Sequence, residues 1–337
     1  MTDPFPEFVA PYSPEFVEPA GSRSSFCGIP VRGVQDVRDG DVVIIGAPFD
    51  WGTSFRAGAR FGPRFIRDAD YLEASGTRPH LAAGVDPLVD LSVVDAGDNP
   101  MVRGYMDESL DAIESYVHEI VRRGGTPVVL GGDHTITLPN AKAVARHRGN
   151  GRFAVVHFDA HPDTGVYTRP EMLGHGAPMR RLIGCGAVPG HRFVQIGLRG
   201  YWPPADVLEW MAARNMHSYS MDQVESRGMD AVLDEAVALV TEPDDTGAVD
   251  GIFLSIDIDV VDPGMAPATG TPEPGGLTSR QLLEAVRRLT RELPVVGVDL
   301  VEVAPHYDQP MNITALLANR VVLEALTGMA QRRKLGR

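Results

Sequence analysis

A three-layer α/β/α fold around a mostly parallel central sheet is what this sequence predicts, and three observations predict it. Short β-branched runs recur from Asp41 onward, longer stretches with helical spacing fall between them, and the runs are mostly apolar, without alternation, as in strands covered on both faces. The first twenty residues hold Pro4, Pro6, Pro11, Pro14 and Pro19, which break helices and central strands, so residues 1–40 read as an extended N-terminal arm. Residues 41–337 read as a single domain. Its expected strands are 42–45, 128–130, 153–156, 193–196, 252–256 and 295–298. Its expected helices are 106–123, 138–146, 204–214, 229–240, 278–293 and 312–329. Thr278, followed by Gln281, is placed to cap the fifth of these.

Charge and cysteine content narrow the function. A formal net charge of −14 repels phosphate backbones and anionic headgroups, so neither nucleic acid nor a membrane is an expected partner. The basic cluster of Arg332, Arg333, Lys334 and Arg337 reads as a solvated tail. No stretch reads as long and apolar enough to span a bilayer. Cys27 and Cys185 have neither CxxC nor Cys/His spacing, so no disulfide framework or zinc site is expected, and the cytoplasm is the expected compartment. Cys185, Met172 and Met179 are expected to pack.

In open α/β sheets ligands gather beyond the carboxyl ends of the strands, so the informative residues are those just after each apolar run. Gly131-Gly132-Asp133-His134 follows one run, His157-Phe158-Asp159-Ala160-His161-Pro162-Asp163 follows the next, and Asp257-Ile258-Asp259 follows a third. Asp257 and Asp259, two apart, are expected on one strand face, where two unpaired carboxylates would repel. A cation resolves that conflict. With Asp159, Asp163, His134 and His161 the set comprises four carboxylates and two imidazoles, suited to manganese-like ions and too rich in oxygen for a structural zinc site. An isolated GGDH or DxD is more often a cap or a surface pair, but three such clusters in succession point to a metal centre.

These segments, with Ser255–Pro263, the following ATGTPEPGG, the VGVDLVEVAP run that contains Glu302, and upstream Gly46-Ala47-Pro48-Phe49-Asp50 and RAGARFGP, resemble the ureohydrolase family of arginases, agmatinases and guanidino-acid hydrolases. The resemblance runs from about Asp41 to the C-terminus and implies an arginase-like fold. It implies two divalent metal ions per subunit, manganese foremost with nickel or cobalt as alternatives. His134, Asp159, Asp163 and Asp257 would bind one ion; Asp159, His161, Asp257 and Asp259 the other. It implies that Asp163 orients the water made nucleophilic by the metals, that Glu302 holds the substrate guanidinium, and that His175 transfers a proton to the leaving nitrogen. Thr271 is implied as a substrate-binding residue. His157, Asp262 and Asp299 match no ligand position and are expected to support the ligands or the fold. Trp202 and Tyr201 could line the pocket mouth or an oligomer contact. A homo-oligomer, trimer or hexamer, is implied as well.

Specificity is expected in the loop between Asp163 and His175. Arginases carry an asparagine two residues after the last ligand of HxDAHxD, where it helps hold the α-carboxylate of arginine; here the residue is Gly165. Arginine therefore recedes. Glu171 could pair with the ammonium of agmatine and Arg169 with the carboxylate of 4-guanidinobutyrate. Agmatine, cleaved to putrescine and urea, is the favoured substrate, with 4-guanidinobutyrate or another guanidino acid as the alternative. A non-catalytic, metal-bound regulatory subunit is the reading from another class, and retention of His175, Glu302 and every ligand argues against it.

Overall fold

The computed structural model describes residues 25–149, 152–167, 173–245, 247–308, 310 and 312–336. Eight strands form one sheet: β1 (Asp41–Ala47), β2 (Ser92–Asp98), β3 (Thr126–Gly131), β4 (Phe153–Phe158), β5 (Phe193–Leu198), β6 (His217–Ser220), β7 (Gly251–Asp257) and β8 (Val295–Val301). Their spatial order is β2-β1-β3-β8-β7-β4-β5-β6, and every neighbouring pair is parallel.

Alternate residues of the central strands feed two separate cores, which is why those strands read as mostly apolar runs. Val42, Ile44, Val128, Leu130, Val156 and Ile196 face one core, together with helices α8 (Met229–Thr241), α9 (Ser279–Glu292) and α10 (Ile313–Lys334). Val43, Ile45, Val129, Val155 and Phe253 face the other, together with α3 (Met106–Arg122), α4 (Thr137–Arg148) and α5 (Pro178–Gly184). In α3 the buried Leu110, Ile113, Val117 and Ile120 share one stripe, each contributing about 2 kcal/mol by apolar burial. Thr278 caps α9 in a full capping box with Gln281, as its sequence predicts.

Two strands and four helices escape the sequence reading. β2 and β6 are the sheet's edges and carry too many polar residues to form an apolar run. Helices α1 (Gly62–Asp68), α2 (Pro87–Asp90), α5 and α7 (Met221–Arg227) span only four to seven residues, too few to display a helical period. α6 (Ala205–Ala212) completes the helices.

Two expectations need correction at the C-terminus. α10 is long and apolar enough to cross a membrane by length and composition, but 67% of that window is buried inside the fold, with Thr314, Asn319 and Thr327 among its buried residues. The basic cluster is no loose tail through Lys334: it is the last turn of α10, where Arg332 donates to the carbonyl of Glu292 and Lys334 pairs with Asp90. At the other end, Phe26, Cys27 and Ile29 are buried, and the Phe26 amide donates to Asp95 on β2 at 2.8 Å.

Candidate metal centre

The four central strands β3, β8, β7 and β4 end side by side, and each delivers functional groups at its carboxyl end. β3 exits through Gly131-Gly132, and the turn is held by Gly132 N–H to Ala47 O and Asp133 N–H to Phe49 O. A Cβ on Gly132 would stand 2.0 Å from the Phe49 carbonyl oxygen, so only glycine lets the loop after β1 buttress this turn. Asp133 then caps the short turn that holds His134 by accepting the Thr135 amide.

The structure brings all six sequence-predicted ligands together. His134 Nδ1 lies 3.1, 3.0 and 3.1 Å from carboxylate oxygens of Asp159, Asp163 and Asp257. His161 Nδ1 lies 3.4 Å from Asp159 and 3.0 Å from Asp259. Asp159 therefore stands between the two groups, one oxygen toward each imidazole. Asp257 and Asp259 converge for a different reason from the one expected. β7 ends at Asp257, and a single turn of 3-10 helix follows, in which the Asp257 carboxylate accepts the Asp259 amide at 2.8 Å.

Nearly all of these groups are buried, and no lysine or arginine pairs with them among the described residues. Burial, reinforced by Asp259 and Asp159, pushes Asp257 well above the usual carboxylate range, and burial with Asp159 raises Asp259. Burial would raise Asp159 too, but the imidazoles of His157, His134 and His161 outweigh it and hold it well below. His134 Nε2 lies 3.0 Å from the hydroxyl of Ser255, whereas the buried Nδ1, amid three carboxylates, has no hydrogen-bond partner. An unpartnered imidazole nitrogen facing several carboxylates is the donor set of a divalent cation, so these residues fit the metal pair that the sequence implies.

Beside this cluster lies a second arrangement. Glu302, just past β8, is held by its own amide donating to Gly132 O, and its Oε1 accepts the His134 amide at 2.8 Å. Oε1 also lies 2.8 Å from His175 Nδ1, while Oε2 is buried without a hydrogen-bond partner. A Cβ at Gly270 would come within 3.1 Å of Oε2, so the absence of a side chain there keeps space open before it. Burial works against charge on His175, but Glu302, Asp163 and Asp133 raise it to about 9. The Ser54 amide donates to His175 Nε2 at 3.0 Å, and the Ser54 hydroxyl lies 2.7 Å away. Asp163 and Glu302 both have positive φ, 50° and 64°, a conformation that costs non-glycine residues about 1–3 kcal/mol and concentrates at functional sites.

The remaining expected residues fall as follows. Thr271 Oγ1 lies 3.5 Å from Asp259, and the Gly165 amide donates to Gly176 O at 2.8 Å. Arg169 and Glu171 lie outside the described residues, as does Met172. Trp202 stands beside His161, ring centroids 6.5 Å apart, and against Gly165, so it borders the site; Tyr201 is fully exposed. Asp262 holds its loop by accepting amides of Gly264 and Gly275. Cys185 is exposed, contrary to the expectation that it packs, while Met179 is buried. Sequence reading missed Ser54, in a loop without a period, and Gln195, whose signal was an amide inside the otherwise apolar run of β5.

The arginase family matches residues 40–328. Proclavaminate amidinohydrolase of Streptomyces clavuligerus is 38% identical over 85% of this chain and 87% of its own length, and its structure superposes with a TM-score of 0.82, covering 95% of this chain and 100% of that one at 34% identity. Guanidinobutyrase of Pseudomonas aeruginosa is 37% identical over 87% of this chain and 88% of its own. Agmatinase of Bacillus subtilis is 36% identical over 87% and 93%. With a sheet whose central strands carry a carboxylate and imidazole cluster at their ends, and relatives of this extent, the chain belongs to the arginase family.

Proposed function

We propose that this protein is an amidinohydrolase that splits a small guanidino compound into urea and an amine. The observation that carries the reading is Glu302 Oε2, a buried carboxylate oxygen with no partner, set beside a cluster suited to two cations. A planar, cationic guanidinium supplies the N–H donors that this oxygen lacks. His134, Asp159, Asp163 and Asp257 would hold one ion, and Asp159, His161, Asp257 and Asp259 the other. When bound, such ions supply Lewis acidity that brings the pKa of water toward neutrality; manganese is the proposed metal, with nickel or cobalt as alternatives. Asp163 accepts a hydrogen bond from the attacking water and aims it at the guanidino carbon that Glu302 has fixed. As the tetrahedral carbon collapses, the leaving nitrogen needs a proton. In this geometry Nε2 accepts the Ser54 amide, so the ring's proton sits on Nδ1 toward Glu302; the neighbouring carboxylates that raise His175 to about 9 favour a second proton, which Nε2 takes up once the ring turns from the Ser54 amide toward the leaving nitrogen.

Agmatine is the first substrate proposed, and Glu171 remains its proposed ammonium partner. An ω-guanidino acid such as 4-guanidinobutyrate is the second, favoured by Arg56. Its guanidinium lies 5.2 and 5.4 Å from the Phe55 and Tyr307 rings and has no carboxylate partner among the described residues, while its carbonyl oxygen borders Gly270 across from Glu302. Arg169 is the other proposed carboxylate contact, and Thr271 and Gly165 remain proposed to border the substrate. Urea release from agmatine, 4-guanidinobutyrate, 3-guanidinopropionate and arginine, with manganese, nickel and cobalt in turn, tests the reading. Turnover of one of the first three is expected; no urea from any compound with any metal would refute it and favour the non-catalytic subunit. The proposed homo-oligomer, trimer or hexamer, is supported by exposed Tyr71, Leu72, Leu81 and Val89. The proposed cytoplasmic setting is supported by the two free cysteines. The proposal of one domain over 41–337 is supported by a single sheet that draws strands from Asp41 to Val301.

A further inference from the structure

Behind the cluster, three polar side chains lie abreast across the sheet. His157 on β4 is in register with Gln195 on β5, and Gln195 with Ser218 on β6. His157 and Gln195 are completely buried in a row where apolar side chains would cost the fold less. Their hydrogen bonds can be assigned one after another. The Pro162 carbonyl can only accept, so the Gln195 group 2.7 Å from it is the amide NH2. That same nitrogen lies 3.0 Å from His157 Nδ1, and its second hydrogen makes Nδ1 an acceptor. The amide oxygen is occupied by the Ser218 hydroxyl at 3.2 Å. With Nδ1 accepting, the neutral ring carries its proton on Nε2, which donates to Asp159 Oδ2 at 2.8 Å. The other oxygen of Asp159 accepts the His161 amide at 2.6 Å, so both lobes of the carboxylate between the two ion positions are fixed.

We propose that Gln195 is a positioning residue of the metal centre: its single amide sets the tautomer of the ring that orients Asp159 and pins the backbone between His161 and Asp163. The proposal rests on reading the cluster as a cation site. Through Pro162 and His157 the amide acts on three of the six ligands without touching any. A glutamate in the same place would face the Pro162 carbonyl with a second oxygen and would accept from His157, drawing the proton onto Nδ1. A methionine would fill the volume and offer neither bond.

The test measures manganese affinity by calorimetry for the wild type, Gln195→Met, Gln195→Glu, His157→Phe and the Gln195→Met/His157→Phe double variant, alongside the nitrogen-15 resonances of His157 in metal-free protein. Losing this kind of support weakens metal binding about 10–100-fold. Gln195→Met is expected to lose that much affinity, to keep its KM at saturating manganese within about two-fold because no substrate contact changes, and to lose less than additively with His157→Phe. Wild-type His157 is expected to be protonated on Nε2, and the Glu variant on Nδ1. Unchanged manganese affinity in folded Gln195→Met, strictly additive losses, or a wild-type proton on Nδ1 would each overturn the proposal. If Gln195→Met does not fold, the wild-type resonance alone decides. A wild type that binds no manganese refutes the cation reading itself, a different result from binding that ignores Gln195.

Discussion

Of two buried carboxylate clusters among the described residues, the one on β2 carries its own cation and the one at the ends of the central strands has no lysine or arginine side chain paired with it. On β2, Asp95 receives Arg67 Nε and Nη2 at 2.8 and 2.9 Å, and Asp98 receives Nη1 at 2.6 Å, with all three side chains almost wholly buried. Amides of Phe26 and Gly97 fill further acceptor positions on Asp95. At the ends of β3, β4 and β7, four carboxylates meet the imidazoles of His134, His157 and His161 and form no ion pair with a lysine or arginine among the described residues, and burial has driven Asp257 and Asp259 upward. A cluster closed by the chain serves the fold. A cluster left short of positive charge is a place where the fold gives up stability to bind something.

The sharpest way to break the comparison is to open the closed cluster. Arg67→Met takes the guanidinium away from two buried carboxylates, and a loss of about 3–5 kcal/mol is expected in urea unfolding, equal with and without metal. A loss below about 1 kcal/mol would mean that Asp95 and Asp98 do not depend on the arginine, and the contrast would fail. Next comes the open cluster, filled and emptied. Adding manganese at a hundred times its dissociation constant is expected to raise stability by about 2.7 kcal/mol per site, reversibly with a chelator, while leaving the Arg67→Met deficit unchanged. In metal-free protein, Asp257→Asn is expected to raise stability by about 1–2 kcal/mol by relieving like-charge repulsion, and to abolish most of the manganese gain. An Asn variant less stable than metal-free wild type would show that the cluster is already balanced.

The same contrast explains what the sequence made legible. Ligands that follow apolar runs directly, such as His134 after β3 and Asp159 after β4, could be read because a central strand announces itself and its next residues must stand at the sheet's edge. The closed cluster could not, since β2 is an edge strand whose Asp95 and Asp98 break the apolar run, and Arg67 lies on a seven-residue helix with no visible period. Asp257 and Asp259 were found for a reason that the backbone does not use, because strand parity and a one-turn helix both bring residues two apart to one side. His175 and Glu302 were recognised only by family resemblance: one sits in a loop, and the other owes its orientation to a left-handed φ that no pattern of side chains encodes. Gln195 was visible as a polar residue in an apolar strand, but its partners lie 33 and 38 positions away and only the sheet register joins them.

The smallest effect concerns the pair between the two extremes. His175 and Glu302 form a contact of 2.8 Å that carries its own positive charge only while the ring is protonated. His175 is raised from an ordinary value near 6.5 to about 9, so protons bind the folded ring more tightly than the unfolded one. Its contribution is therefore complete below about pH 6.5 and disappears as pH rises through about 9. In chelator-treated protein, His175→Gln is expected to cost on the order of 1 kcal/mol at about pH 6 and almost nothing at about pH 10, measured by urea unfolding. A deficit that stays constant over that range would mean that the ring contributes by packing alone and that its contact with Glu302 does not depend on the ring's charge.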